Sequence, residues 1–332
     1  MESVFNLKDY KLLNKDLRFK TDEEYLNHWN RIGMKQCRLC NQSLLIATNE
    51  FGIEILFYVG YYYYLFTSNL LFNNRIISYK GMEPYYYFLP RTQLSLQSHT
   101  RKYTKHQDCM LTKYLKLNND NPNAPYYDLN LKFWKPPDYR TYYDNNKNTY
   151  FHYDKEILIV NNKYNREWEA LYNRPVNFLD LPTLHKIFTY LSPKYQVIYI
   201  RPTTSIQHEK EYSFDSNAQL KLNDFELIRT KFPNVILFDD LLNNDLRFQH
   251  MNYNLLKCYL LASCTKYISV QGGANNLFSY FAKSMLIYHK HGFEAEANVY
   301  TVRSKLQSTF EDFSITHKDN YDELIRSMKE MY

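Results

Sequence analysis

From about residue 155 onward, short apolar runs alternate with amphipathic stretches. The runs 156–160, 196–200, 234–238, 266–270 and 285–288 are almost continuous in Ile, Val, Leu, Tyr and Phe. Such runs are expected of strands buried on both faces of a parallel sheet. Between and around them, 181–191, 222–231, 253–262, 276–283 and 321–331 repeat apolar residues at helical spacing, which predicts helices. Strand and helix in strict alternation predict a doubly wound, Rossmann-like domain.

The front of the chain has a different rhythm. Leu7, Tyr10, Leu13 and Leu17, then Tyr25, Trp29 and Ile32, recur at spacings of three and four, predicting short helices. Thr21 and Glu24 form a capping box that opens the second helix, and Gly33 closes it. Residues 43–47 predict a short strand, 49–52 a turn, 53–65 a helix and 75–79 a second strand, together a βαβ unit. Residues 90–150 are polar and carry Pro122, Pro125, Pro136 and Pro137. They predict long loops with one short helix. The expected organisation is a helical appendage at 1–41, an N-terminal Rossmann-like half with an irregular insert at 42–150, and a C-terminal Rossmann-like half at 151–332.

In an open parallel sheet a ligand sits beyond the carboxyl ends of the strands. Asn161, Asn162 and Lys163 follow the first of the later runs. Arg201 follows the second, Asp239-Asp240 the third, Gln271-Gly272-Gly273 the fourth, and His289-Lys-His291-Gly292 the fifth. The chain has only 7 glycines in 332 residues, against an ordinary ~7%, so the adjacent pair is informative. Strand, Gly-Gly, then a helix over Asn275 and Asn276 would bring bare backbone N–H groups to an anion. Arg201 would add a bidentate fork for a phosphate. Asp239-Asp240 reads as a turn and helix cap. His289 and His291 read as solvated residues at a strand end.

Composition narrows the classes. The net charge is +6, but the basic residues form no stripe of the kind that tracks nucleic acid. The most apolar stretch, near 53–66, contains Glu54 and is tyrosine-rich toward its end, so no membrane span is expected. Five cysteines without a secretory leader imply reduced thiols and a cytoplasmic location. Cys37-x-x-Cys40 lacks a second ligand pair for zinc. No P-loop, Gly-x-Gly-x-x-Gly, Gly-x-Ser-x-Gly or Asp-x-Asp motif occurs.

Several short motifs, in order, resemble polysaccharide glycosyltransferases of bacteria and giant viruses. They are Tyr10-x-x-Leu-Asn-x-Asp-Leu17, His28-Trp29 with Gly33, Glu50-Phe-Gly-x-Glu54 with Tyr61–Tyr64, Asn162-Lys-Tyr-Asn165 with Glu167-Trp168, Ile200-Arg-Pro202, and Val270-Gln-Gly-Gly273 with Tyr280-Phe281. The resemblance implies a GT-B fold of two Rossmann-like halves. It also implies transfer from a nucleoside-diphosphate sugar to a glycan or glycoprotein acceptor, without a metal or other cofactor. On that reading Arg201, Gly272, Gly273, Asn275 and Asn276 hold the diphosphate, and Asn161, Lys163 and Gln271 line the pocket. Glu54 is the expected general base or acceptor-binding carboxylate. A non-catalytic nucleotide- or glycan-binding protein, or a structural scaffold, are the alternatives.

Overall fold

The computed structural model describes residues 5–36, 38–48, 50–97, 132–145, 150–202, 220–292, 294–295 and 299–332. Cys37 and most of the expected loop region, 98–131 and 146–149, lie outside the described residues. Two compact units emerge, Met1–Pro137 and Asp138–Tyr332.

In the first unit, Asn6 caps α1 (Leu7–Leu13) and Thr21 caps α2 (Asp22–His28). The Glu24 side chain reaches back to the Thr21 N–H, completing the capping box. Helix α2 runs on into a π turn, Trp29–Gly33. Tyr10 is buried against Trp29, edge to face at 5.3 Å, and its hydroxyl lies 2.8 Å from His28 Nδ1. A Cβ at Gly33 would overlap that hydroxyl, so only glycine lets the ring close here. Burial holds His28 below the usual histidine range, and Arg38 adds to the effect. The folded module therefore binds its proton less readily than the unfolded chain does. Its contribution to stability is present above pH ~6.5 and is lost as pH falls below that value. Amide exchange over 7–33 is expected to accelerate between pH 7 and pH 5, beyond the intrinsic chemistry of exchange. His28→Asn, which keeps an acceptor but cannot titrate, is expected to abolish that excess.

Residues 43–47 do not form the expected strand. The Asn41 side chain accepts from the Ser43 N–H and folds Gln42–Leu45 into a 3-10 turn, leaving only Ile46 to bridge Ile77. The following helical stretch runs as Phe51–Ile53, a π segment Glu54–Tyr58, and α3 (Val59–Thr67). Trp134 donates from Nε1 to the Leu56 carbonyl at 2.9 Å, at a place where a Cβ on Gly60 would overlap the indole. Strands β1 (Ile76–Tyr79) and β2 (Leu94–Gln97) pair in parallel.

The second unit is α/β around one parallel sheet. Among the described residues its α-helices of five residues or more are α4 (Tyr139–Asn145), α5 (Leu181–Leu191), α6 (Asp224–Lys231), α7 (Phe238–Asn244), α8 (Tyr253–Ala262), α9 (Ala274–Phe278) and α10 (Tyr321–Met331). Its strands are β3 (Ile157–Asn161), β4 (Gln196–Ile200), β5 (Ile236–Leu237), β6 (Lys266–Val270), β7 (Ser284–Tyr288) and β8 (Ser314–Lys318). They lie in the order β5-β4-β3-β6-β7-β8, every neighbouring pair parallel. All five residues of β3 are buried, so helices must cover both faces. On one face Leu158, Val160, Tyr199, Val270 and Leu286 pack with Leu184, Phe188, Ile228, Leu324 and Met328 of α5, α6 and α10. On the other, Tyr267 stacks on Phe278 of α9 and donates to the Leu261 and Cys264 carbonyls beside α8. Among the described residues no helix is long and apolar enough to cross a membrane.

The chain steps outward from β3 through β4 to β5, then crosses back to build β6, β7 and β8 on the other side of β3. The order therefore reverses between β3 and β6. A crevice opens at such a point beyond the carboxyl ends of the two strands, because the connections leave in opposite directions.

Candidate functional site

Four of the expected residues meet at that reversal. Asn161 ends β3, is buried, and donates across to Ser269 Oγ of β6 at 3.1 Å. Lys163, two residues on, places its ammonium on Glu167 and on Gln271 Oε1, the latter at 3.0 Å. Gln271 directly follows β6 and is buried. Its Oε1 also accepts from Asn177 Nδ2 at 3.0 Å, and its Nε2 donates to Glu294. Gly272 has φ +144°, a backbone conformation that residues with a side chain seldom adopt. A Cβ there would stand 3.2 Å from Lys163 Nζ. The missing side chain is what brings the ammonium up to bare backbone.

Asn177 binds the crevice together and was not foreseen. It is fully buried with φ 53°, donates to the His291 carbonyl at 2.6 Å, and accepts from the Lys290 and His291 N–H groups at 2.7 and 2.9 Å. It thus ties the segment after β7 to Gln271. The only sequence signal was that asparagine is among the few residues that tolerate left-handed backbone. Asn162 has a comparable structural task. It is fully buried, donates to the Leu179 carbonyl and the Tyr199 hydroxyl, and accepts from the Lys163 and Leu179 N–H groups.

Other expected residues are placed differently. Arg201 ends β4, 7% exposed, and its fork is occupied. Nε and Nη2 donate to the two oxygens of the fully buried Asp224 at 2.5 and 2.7 Å. The Tyr199 hydroxyl donates to the same carboxylate at 2.6 Å, and Phe225 lies under the guanidinium. The expected phosphate fork is thus taken up by an internal ion pair. Glu54 is fully enclosed in the first unit, where it accepts from Ser78 Oγ at 2.5 Å and Tyr86 Oη at 2.7 Å. This buried carboxylate ties its helix to β1.

The expected helix at 276–283 is only Ala274–Phe278, a single turn with little dipole to offer an anion. After it the chain tightens into i→i−3 bonds, Tyr280 N–H to the Leu277 carbonyl and Phe281 N–H to the Phe278 carbonyl, before entering β7. Gly273 has ordinary helical angles, φ −59° and ψ −21°, so of the pair only Gly272 needs to be glycine on backbone grounds. Asn275 is buried and donates back to the Val270 carbonyl at 2.9 Å, stapling the turn, and Asn276 is half-buried in α9.

His289 is buried rather than solvated. Its Nε2 lies 3.0 Å from the Gly292 carbonyl, which can only accept, so Nε2 carries the proton. Its Nδ1, 2.7 Å from Tyr300 Oη, then accepts from that hydroxyl. Both nitrogens are committed, and among the described residues no group of three or more His, Cys, Asp or Glu could hold a metal ion. Asp239 and Asp240 fall in the first turn of α7, and Asp240 pairs with Arg229 at 2.8 Å. Cys40, Cys258 and Cys264 are buried and not joined in disulfides. Burial pushes the Cys40 and Cys264 thiols up to about 12, leaving them protonated and unreactive.

Comparison of the chain with protein-family models, with curated proteins and with solved structures finds no match.

Proposed function

We propose that the second unit binds a nucleoside diphosphate, carried as a nucleotide sugar, in the crevice between β3 and β6. We propose further that the protein is a glycosyltransferase, two Rossmann-like halves in a GT-B arrangement, moving that sugar to a glycan hydroxyl. The observation that supports the binding step is the reversal of strand order with Lys163 held against Gly272 at its mouth. An ammonium beside unhindered backbone can neutralise a diphosphate as it departs. In this reading the anion takes the place that Glu167 now fills beside Lys163.

The enclosure of Glu54 favours a second reading, a nucleotide- or nucleotide-sugar-binding protein without transfer. One pair of measurements separates the two. Titration of the full chain with GDP, UDP, CDP and dTDP is expected to show saturable binding of one of them. Lys163→Met is expected to weaken that binding about tenfold or more, the value of one charge-assisted hydrogen bond. Absence of binding by all four would remove the proposal altogether. Release of free or transferred sugar from the matching nucleotide sugar would then establish the enzyme, and binding without release the second reading. Turnover is expected to survive EDTA, because the sequence has no Asp-x-Asp pair.

A further inference from the structure

Beyond the ends of β7 and β8 lies a cavity of about 680 Å³, within the usual size of a small-molecule site. Its half-buried wall is formed by Trp168, His291, Gly292 and Ala295, with the indole edge-on to the imidazole at 4.4 Å. Its mouth carries Lys290, His317, Lys318, Asp319 and Glu323.

The charges at the mouth are the informative feature. Lys290 and Lys318 share the mouth with Asp319 and Glu323, none of the four forms an ion pair with another described residue, and Asp319 accepts only from the neighbouring Asn320 side chain. An anion would gain from the lysines and lose to Asp319 and Glu323, and a cation would meet the reverse. Partial burial, with His289 and Lys318 beside it, holds His317 below the usual histidine range, and only Asp319 opposes this. At neutral pH that ring carries no charge and can both donate and accept. A metal is disfavoured because both nitrogens of His289 are already engaged. What remains is a ligand without net charge that offers many groups able to donate and accept together, and a C–H face for the aromatic wall. A sugar ring has these properties.

We propose that this cavity binds a neutral saccharide through the Trp168 wall and the polar side chains at its mouth, without need of a nucleotide. The site goes beyond the nucleotide reading and does not need it: of the cavity's groups, Asn177 of the crevice holds only the Lys290 and His291 N–H groups and the His291 carbonyl, and His317, Lys318, Asp319 and Glu323 make none of the crevice contacts.

The test is calorimetric titration of the full chain with glucose, galactose, mannose, fucose, N-acetylglucosamine, lactose and maltose, with inorganic phosphate alongside. Saturable binding of at least one neutral sugar is expected, unchanged by saturating nucleoside diphosphate. The exposed pair Asp319→Ala and Glu323→Ala, combined, is expected to weaken it about tenfold with no change in melting temperature. Trp168→Phe should remove the accompanying change in tryptophan fluorescence. No saturable binding by any of the seven sugars would overturn the proposal. So would binding of phosphate alone, or sugar binding indifferent to the double variant. A nucleotide titration that fails while a sugar titration succeeds would sink the nucleotide reading and keep this one.

Discussion

Asp224→Ala is expected to unfold the second unit at physiological temperature. The substitution leaves Arg201, 7% exposed, without the carboxylate that holds its Nε and Nη2, and it deprives the buried Tyr199 hydroxyl of its acceptor. Breaking one side of a buried ion pair costs about 3–5 kcal/mol, because the remaining charge stays desolvated. A domain has about 5–15 kcal/mol in all. Urea denaturation followed by circular dichroism measures the loss. Replacing both partners by apolar residues of similar volume, Arg201→Met with Asp224→Leu, is expected to recover most of it, since two hydrophobes need no compensation. If the double variant folds and still binds nucleotide with unchanged affinity, Arg201 is architecture. A folded double variant that has lost nucleotide binding would instead show that the guanidinium leaves Asp224 for the ligand. A single variant as stable as the wild type would mean that the pair is not buried in solution.

That ion pair also marks where the sequence stopped being readable. The position of Arg201 at a strand end could be inferred, because β4 announces itself as an apolar run. Its partner lies 23 residues away, across a segment with no periodic signal. Strands β3, β4, β6 and β7 were legible for one physical reason, burial on both faces. The same reason hid β8. Ser314-Ile-Thr-His-Lys318 is an edge strand, half exposed and mostly polar, so it carries no continuous run. Strand β2 escaped on the same ground, with two of its four residues exposed. The run 234–238 became only two residues of strand because Phe238 turns directly into α7.

The site followed a similar rule. The residues after β3 and β6 were placed by topology, and Lys163, Gln271 and Gly272 do meet. Which side chains would neutralise them was not legible. Glu167, Glu294 and Asn177 reach the crevice from loops whose paths depend on the finished fold. Glu54 is the converse case. A carboxylate early in a helix reads as surface chemistry, but hydroxyls from Ser78 and Tyr86 make its burial tolerable.

Gly272→Val is expected to do more harm to ligand binding than any other single change in the crevice. At φ +144° a β-branched residue is strained, by roughly 1–3 kcal/mol. That part of the effect appears as an earlier urea midpoint. The second part is local. The added Cβ would press on Lys163 Nζ, and the two γ-methyl groups would occupy the space over the backbone where an anion must approach. Gly273→Ala is the control, because its backbone is already helical and asks for no positive φ. Urea unfolding and nucleotide titration on the same preparations separate strain from obstruction. Both variants fold, and on the proposed reading only Gly272→Val loses nucleotide affinity, by a factor well above the tenfold expected of Lys163→Met. If Gly272→Val unfolds early yet binds as tightly as the wild type, the glycine serves the turn alone. The nucleotide site would then have to be sought away from the β3–β6 reversal.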